Sequence, residues 1–417
     1  MSMIIRLPCP RPNQVHRREV ERSLIYRLGR MSQWLSGRYG YWRNRALDIL
    51  LSTLMNIGFV STFPVVVGLT IGEREVVNIE GVFERVMWLV AFVSVAFFCY
   101  LSTMRKPQEF EAMHTDLATN WLRMRKRAQT HRELQIMDAC DKTAETLSKV
   151  SDCMCYSGAF FMSAAPLGQR FIFGEEDITL PLEIYMPFVD SFIVKYALTV
   201  VYIFYIFKSV CSLICMFICY LLYIEAMLHV NYIHFDDAFV RILDTAEKRM
   251  SRFSKKIDVE LISVIEEQQL LYRLANGLHQ FVDAGTLFFL PSAAFLCTSS
   301  IFIVNQGSAH HIKLISVVAL PLTQLCALFI TAAKATERSR KTSTLVYGHL
   351  MTFVERRYKL DRSLTLLLLR TQRPVSFRAG KILRLSLPNF VAFFRQMYSV
   401  YALFNSLSTR GVTLTSA

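Results

Sequence analysis

The sequence predicts an all-α membrane protein of seven transmembrane helices, with a cytoplasmic N-terminus and an extracellular C-terminus. Three observations carry this reading. First, 53% of the 417 residues are hydrophobic and the mean hydropathy is +0.32, above the ~45–50% apolar share of ordinary soluble domains. Second, apolar runs of roughly twenty residues recur along the chain, the length a helix needs to cross the hydrocarbon core of a bilayer. Third, Lys and Arg collect in alternate connecting segments.

In order, the predicted spans are 46–71, 83–103, 147–166, 191–223, 281–304, 313–334 and 386–407. The first (ALDILLSTLMNIGFVSTFPVVVGLTI) and second (FERVMWLVAFVSVAFFCYLST) are long apolar runs. The third is short and opens with polar residues; the fourth is the longest and is expected to continue past the membrane surface. The seventh includes SLPNFVAFFRQMYSVYALFN, which carries Arg395 and Gln396 at its centre. A charge at membrane depth costs at least ~2.5 kcal/mol on insertion scales and usually marks a function. Arg395 has three options: snorkelling to the inner surface, an acid on a neighbouring helix, or water.

Loop charge orients these spans. Lys and Arg number ten in residues 1–45, eight in 104–146, seven in 224–280 and twelve in 335–385. The alternate segments hold only Arg74, Arg170 and Lys313, beside the acids Glu73, Glu75, Glu80, Glu175, Glu176, Asp177 and Glu183. A ratio of thirty-seven to three places the basic set, and the N-terminus, in the cytoplasm. That is the reverse of a G-protein-coupled receptor. Residues 1–45 lack an apolar core of signal-peptide length and read as a cytoplasmic segment preceding one membrane domain, 46–417.

The composition also excludes classes. The net charge of +14 is spread over several loops between apolar segments, with no nucleic-acid-binding motif to gather it. Most of the ten cysteines sit in apolar runs, so a disulfide framework is not expected. Cys211, Cys215 and Cys219 share a helix face, but no His, Asp or Glu accompanies them, and they read as packing residues rather than metal ligands. His234, Asp236 and Asp237 could be read as ligands too; a solvated polar face is preferred. No GxSxG, HExxH, P-loop or GxGxxG pattern is present, so neither an enzyme nor a cofactor or metal site is expected. Away from their ends the spans hold few ionisable residues: Asp152, Lys195, Lys208 and Arg395.

Residues 224–280 contain no proline and keep a helical rhythm, with Leu261, Val264, Ile265, Leu271, Tyr272 and Ala275 on one stripe. Such a face must pack on something. The choice lies between the chain's own membrane-proximal helices and a cytoplasmic subunit interface.

The C-terminal segment LLLLRTQRPVSFRAGKILRLSLPNFVAFFRQMYSVYALF resembles the end of the insect odorant receptor family. There an R-x-Q-x-P element precedes an A-G turn, a Leu/Ser run, and a final helix with a basic residue followed by Y-S. The matching positions are Arg370, Gln372, Pro374, Ala379, Gly380, Ser386, Arg395, Tyr398 and Ser399. ITLPLEIYMPFVDSF resembles the loop before the fourth span through Pro181, Tyr185, Pro187 and Asp190. VIEEQQLLYRLANGLHQ resembles the lead-in to the fifth, with Gln268 replacing the usual His. The sister gustatory receptors end in T-Y-x-x-x-x-x-Q-F, whereas this chain has Met397-Tyr398 and no Gln-Phe.

The resemblance implies an odorant-gated, non-selective cation channel in the plasma membrane of olfactory sensory neurons. It implies a heterotetramer with the odorant-receptor coreceptor, Orco, in which inner-loop helices 224–280 and 335–385 form a cytoplasmic anchor and helix 386–407 lines the pore. This tips the stripe from Leu261 to Ala275 toward the subunit interface. A gustatory-type channel acting without the coreceptor is the alternative, a metabotropic receptor a more distant one. Along the last helix, Tyr398, Tyr401, Ala402 and Asn405 form a partly polar stripe with Val400, Leu403 and Phe404 behind it; ordinary helix packing would also give an aromatic stripe. Small volatile ligands call for an apolar cavity with one or two polar groups. The outer halves of the spans offer Trp88, Phe92, Phe160, Phe161, Tyr196, Tyr202, Phe295 and Ser299, each of which could equally be core packing.

Overall fold

In the computed structural model of the chain the described residues are 23, 90, 107–128, 130–173, 191–248, 254–305, 311–355, 372–380 and 382–415. Segment 1–45 and the stretches predicted as the first and second spans therefore lie outside them, apart from Ser23 and a helical Val90. Among the described residues, regular structure consists of six helices and one hairpin. They are α1 (Pro107–Arg127), α2 (His131–Phe173), α3 (Phe192–Lys248), α4 (Ser254–Asn305), α5 (His311–Glu355), β1 (Arg378–Ala379), β2 (Leu383–Arg384) and α6 (Leu387–Thr415).

The local signals are ordinary ones. Helix α1 starts on a proline, carries Glu109 in its first turn and Arg125, Lys126 and Arg127 in its last, matching the helix dipole at both ends. Its stripe of Phe110, Met113, Leu117, Trp121 and Met124 is buried. Thr130 and Glu133 close a capping box at the start of α2, each side chain reaching the other's backbone N–H at 3.3 and 3.4 Å.

The sequence reading expected only the fourth span to run on past the membrane surface, as α3 does; the structure continues α2, α4 and α5 across their predicted boundaries as well. Helices α2, α3, α4 and α5 run 43, 57, 52 and 45 residues. At 1.5 Å per residue α3 is about 85 Å long, nearly three times a hydrocarbon core. No helix breaker stands where spans 147–166, 191–223, 281–304 and 313–334 adjoin their inner loops, so each helix simply continues. Among the described residues, Cys211–Arg241, Gly285–Phe302 and Val318–His349 are long and apolar enough to cross a membrane.

The core sits at the middle of α3, which packs chiefly on α2 and α5. Leu213 to Leu221 and Tyr223, Ile224, Met227 and Val230 are buried around the whole circumference. Tyrosines enter this core with partners: Tyr220 Oη faces His114 Nδ1 at 2.5 Å, and Tyr223 donates to Asp141 at 2.9 Å. Cys211, Cys215 and Cys219 are buried here, Cys219 directing its thiol at the Ala144 carbonyl at 3.9 Å.

Val264, Leu271, Tyr272 and Ala275 are buried within the single chain, and Ile265 is half-buried. This corrects the assignment of the stripe to a subunit interface: α4 spends that face on α1, α3 and α5. Leu261's side chain is outside the described set.

The hairpin pairs Arg378 with Arg384 and Ala379 with Leu383. Gly380 at its turn has φ of +61° and donates its N–H to the Asp283 carbonyl of α4 at 3.0 Å. A Cβ there would fall 2.5 Å from a Leu287 methyl carbon. Both the left-handed backbone and the close approach require glycine. With Val375, Phe377 and Ala379 buried, the hairpin fixes the base of α6 against α4.

Candidate functional site

Helix α6 has one packed and one open face. Phe390, Phe393, Met397, Tyr401 and Phe404 follow i, i+3, i+4 spacing and turn toward α4 and α5. Phe390 and Phe393 meet Phe329 of α5 with ring centroids at 5.1 and 6.4 Å. Phe404 meets Phe295 and Phe302 of α4 edge-on at 6.4 and 6.0 Å. Tyr401 is half-buried, and its hydroxyl accepts a hydrogen bond from Asn305 Nδ2. On the other side Tyr398 is 72% exposed, and Arg395, Ala402 and Asn405 are exposed with it. Val400 and Leu403, read as a packed face, are exposed as well. Arg395 makes no ion pair with any described residue, so an intrachain acid is not its partner among them.

Helices α2, α3, α4 and α6 share two small apolar clusters. One gathers Ala159, Met162 and Ile203 with Phe204, Phe207 and Leu296; the other gathers Phe302 with Phe295, Leu296, Val304, Tyr401 and Phe404. Leu296 belongs to both and links the α2–α3 side to α6. Two buried serines on the same helices have hydroxyls without hydrogen-bond partners among the described residues: Ser163, next to Met162, and Ser299, about one turn from Phe295 and Phe302. A helical serine can bond a carbonyl one turn back, as Ser292 does with Phe288. An open hydroxyl in an apolar setting is the group a ligand oxygen would meet.

The sequence-derived pocket residues divide accordingly. Ser299 and Phe295 lie on α4 at this junction. Tyr196 on α3 donates its hydroxyl to the Ser163 carbonyl of α2. Phe160 and Phe161 are exposed at 59% and 46% and contact each other edge-on at 5.9 Å. Trp88, Phe92 and the side chain of Tyr202 fall outside the described set. Sequence reasoning missed Ser163, Phe207 and Leu296. Ser163 sits within FFMSAAP, three residues from Phe160, and its position on that turn was the available signal.

Two charged arrangements tie the helices together. Lys208 of α3 is only 9% exposed, pairs with Asp152 of α2, and lies 5.0 Å over the Tyr156 ring. Both charges were visible as ionisable residues inside spans; their pairing was not. His234, expected on a solvated face, is half-buried with Nε2 3.4 Å from Glu133 of α2 and Nδ1 3.2 Å from Glu267 of α4. The YIHFDD run thus bridges three helices. Asp236 continues the network to His349 Nε2 of α5 at 3.1 Å, and among its three polar residues Asp237 alone is exposed. Among the described residues no group of three or more His, Cys, Asp or Glu is placed to hold a metal.

The sequence matches the 7tm odorant receptor family over residues 78–398. No curated protein matches it. Among solved structures the chain is similar to the olfactory receptor OR5 of the insect Machilis hrabei in complex with eugenol. That likeness has a TM-score of 0.71 at 12% identity, covering 94% of this chain and 99% of the other. The structure of OR5 described without eugenol gives a TM-score of 0.69 at 12% identity, with 93% and 98% covered. At that identity the likeness establishes the fold, over nearly the full length of both chains.

Proposed function

The chain belongs to the 7tm odorant receptor family, and from that premise we propose that it is the ligand-binding subunit of an odorant-gated, non-selective cation channel. On this reading it assembles with the coreceptor Orco as a heterotetramer in the plasma membrane of olfactory sensory neurons. The observation that carries the proposal is the open face of α6. On a helix packed through Phe390, Phe393, Phe394, Met397, Tyr401 and Phe404, the residues Arg395, Tyr398, Ala402 and Asn405 are exposed, with Val400 and Leu403 exposed beside them. Mixed small and polar groups on a membrane-spanning helix suit a water-filled path shared between subunits.

The ligand site on this reading lies between the outer halves of α2, α3 and α4, around Ser163, Phe207, Leu296 and Ser299. Its chemistry favours a small, mostly apolar molecule with one oxygen function, since the same helices supply an apolar cluster and two buried hydroxyls without partners among the described residues. Gating then has a short mechanical route. A ligand against the α2–α3 side of Leu296 shifts the packing on its α6 side, where Phe295, Phe302 and Phe404 interlock. Binding energy that differs between two packings moves a closed–open equilibrium.

Patch-clamp recording of the chain co-expressed with Orco tests this. A panel of volatile odorants evokes cation currents that require both subunits. Surface-expressed complexes silent to a broad panel would contradict the channel reading, and currents from the chain alone would favour a coreceptor-independent channel of the gustatory type.

A further inference from the structure

A large cavity among the described residues lies away from these apolar clusters. It is a groove of about 1180 Å³ between α2, α3, α5 and the start of α6. Its position along each helix is defined by charge. Residues 314–333 of α5 carry none, and Lys334, the next residue, lines the groove. Residues 209–224 of α3 carry none, and Glu225 lines it. On the last element Arg384 lines it, immediately before Leu387 and the apolar run of α6. Three elements thus place their first charged residue at one level, and the groove straddles that level.

The two sides of the level differ in the way a phospholipid does. On the apolar side Ile330 and Leu387 are 41% and 52% exposed, large aliphatic groups that no other part of the described chain covers. On the charged side the groove holds Lys334, Arg338, Arg340, Lys341 and Arg384 against Glu225 and Glu337. Arg338 is engaged by Glu225 at 3.0 Å, and Glu337 reaches Arg340 and Lys341 at 3.8 and 4.0 Å. Lys334 and Arg384 form no ion pair among the described residues and are both exposed. The N-terminus of α6 opens into the same space through Ser386, Leu387 and Pro388, adding the positive end of a 29-residue helix.

We propose that this groove binds an anionic phospholipid of the cytoplasmic leaflet, with its phosphate between Lys334, Arg384 and the first turn of α6 and its acyl chains along Ile330 and Leu387. The leaflet follows from the orientation read from loop charge, and the proposal rests on that reading. Basic pockets at the cytoplasmic ends of transmembrane helices recognise acidic headgroups in this way. The site joins α5 to the base of the helix whose open face is proposed to line the pore, so an occupied groove would hold that base in one position.

The test uses the purified full-length chain with its coreceptor in detergent, probed by native mass spectrometry with dioctanoyl phosphatidylinositol bisphosphate. Saturable binding is expected, at least tenfold tighter than for dioctanoyl phosphatidylcholine, and weakened about tenfold by Lys334→Ala with Arg384→Ala. The pair Lys334→Arg with Arg384→Lys should retain it, which separates charge from misfolding. Equal retention of the two lipids, or no change in the Ala pair, would overturn the lipid site. Equal binding of free inositol trisphosphate would overturn the assignment to a lipid. An Ala pair that alters only subunit assembly would give the groove to a protein neighbour and overturn it too. Separately, Arg384→Cys should react with a membrane-impermeant thiol reagent only from the cytoplasmic side. Labelling from outside would overturn the orientation, and with it the leaflet, whatever the lipid result.

Discussion

Asp152 and Lys208 form a charged pair between α2 and α3, with Lys208 almost fully withdrawn from solvent. Asp152 is 35% exposed and Lys208 is the withdrawn member, so removing Asp152 strands the Lys208 charge at a cost of about 1–3 kcal/mol. Asp152→Asn is therefore expected to lower thermal stability of the detergent-solubilised protein, and Asp152→Leu with Lys208→Met to recover most of it. A single variant as stable as the parent would contradict the assignment. Both residues were conspicuous in the sequence as ionisable groups at depth, but they lie 56 positions apart. Pairing depends on the rotation of two helices, which spacing along one chain does not define. Ser299 presents the opposite case. Its buried hydroxyl has no partner among the described residues, so Ser299→Ala should leave stability unchanged or raise it. If that hydroxyl meets the ligand, the same variant shifts odorant potency by roughly tenfold for oxygen-bearing ligands and not for hydrocarbons; an equal shift for both would remove Ser299 from the site.

Elements were legible where pattern alone defines them. Apolar runs located the hydrophobic parts of α2 to α6, and the amphipathic rhythm of 224–280 foretold the helix seen in its described residues, whereas α1 lies in segment 104–146, which was read only as a basic loop. The continuity of each helix through the membrane surface was less legible, because a hydropathy window ends a span where polarity rises although the backbone has no reason to stop. The hairpin before α6 was visible only as the motif Ala379-Gly380. Its physical meaning, a left-handed glycine wedged beside Leu287 and bonded to Asp283, needed the tertiary structure. Gly380→Ala should destabilise this clamp by at least ~1–2 kcal/mol from the backbone conformation alone. It would be read as reduced odorant-evoked current at unchanged surface expression; an unaffected current would mean the clamp has no part in gating. The assignment of the 261–275 stripe failed for an equally physical reason. Periodicity shows that a face is buried, not which molecule buries it, and here the chain's own α1, α3 and α5 do so.

For the whole molecule, the sequence had most to say about class and least about contacts between subunits; orientation is its prediction from loop charge. Thirty-seven basic residues on one side of the predicted topology against three on the other is a property of the entire chain, not of any site. The family match and the likeness to OR5 over nearly its full length agree with the multi-helix membrane fold. What a single chain leaves uncovered then becomes informative. Phe404 of α6 is packed on Phe295 and Phe302, while Ala402, two residues earlier, is exposed. The central claim is that this open face of α6 borders the ion path. Cysteine accessibility during odorant-evoked current tests it most directly, with the parent channel as control for its native thiols. A charged methanethiosulfonate reagent applied from outside should block current through channels carrying Ala402→Cys and spare those carrying Phe404→Cys. Unchanged current at Ala402→Cys, in channels shown to be labelled, would contradict the account.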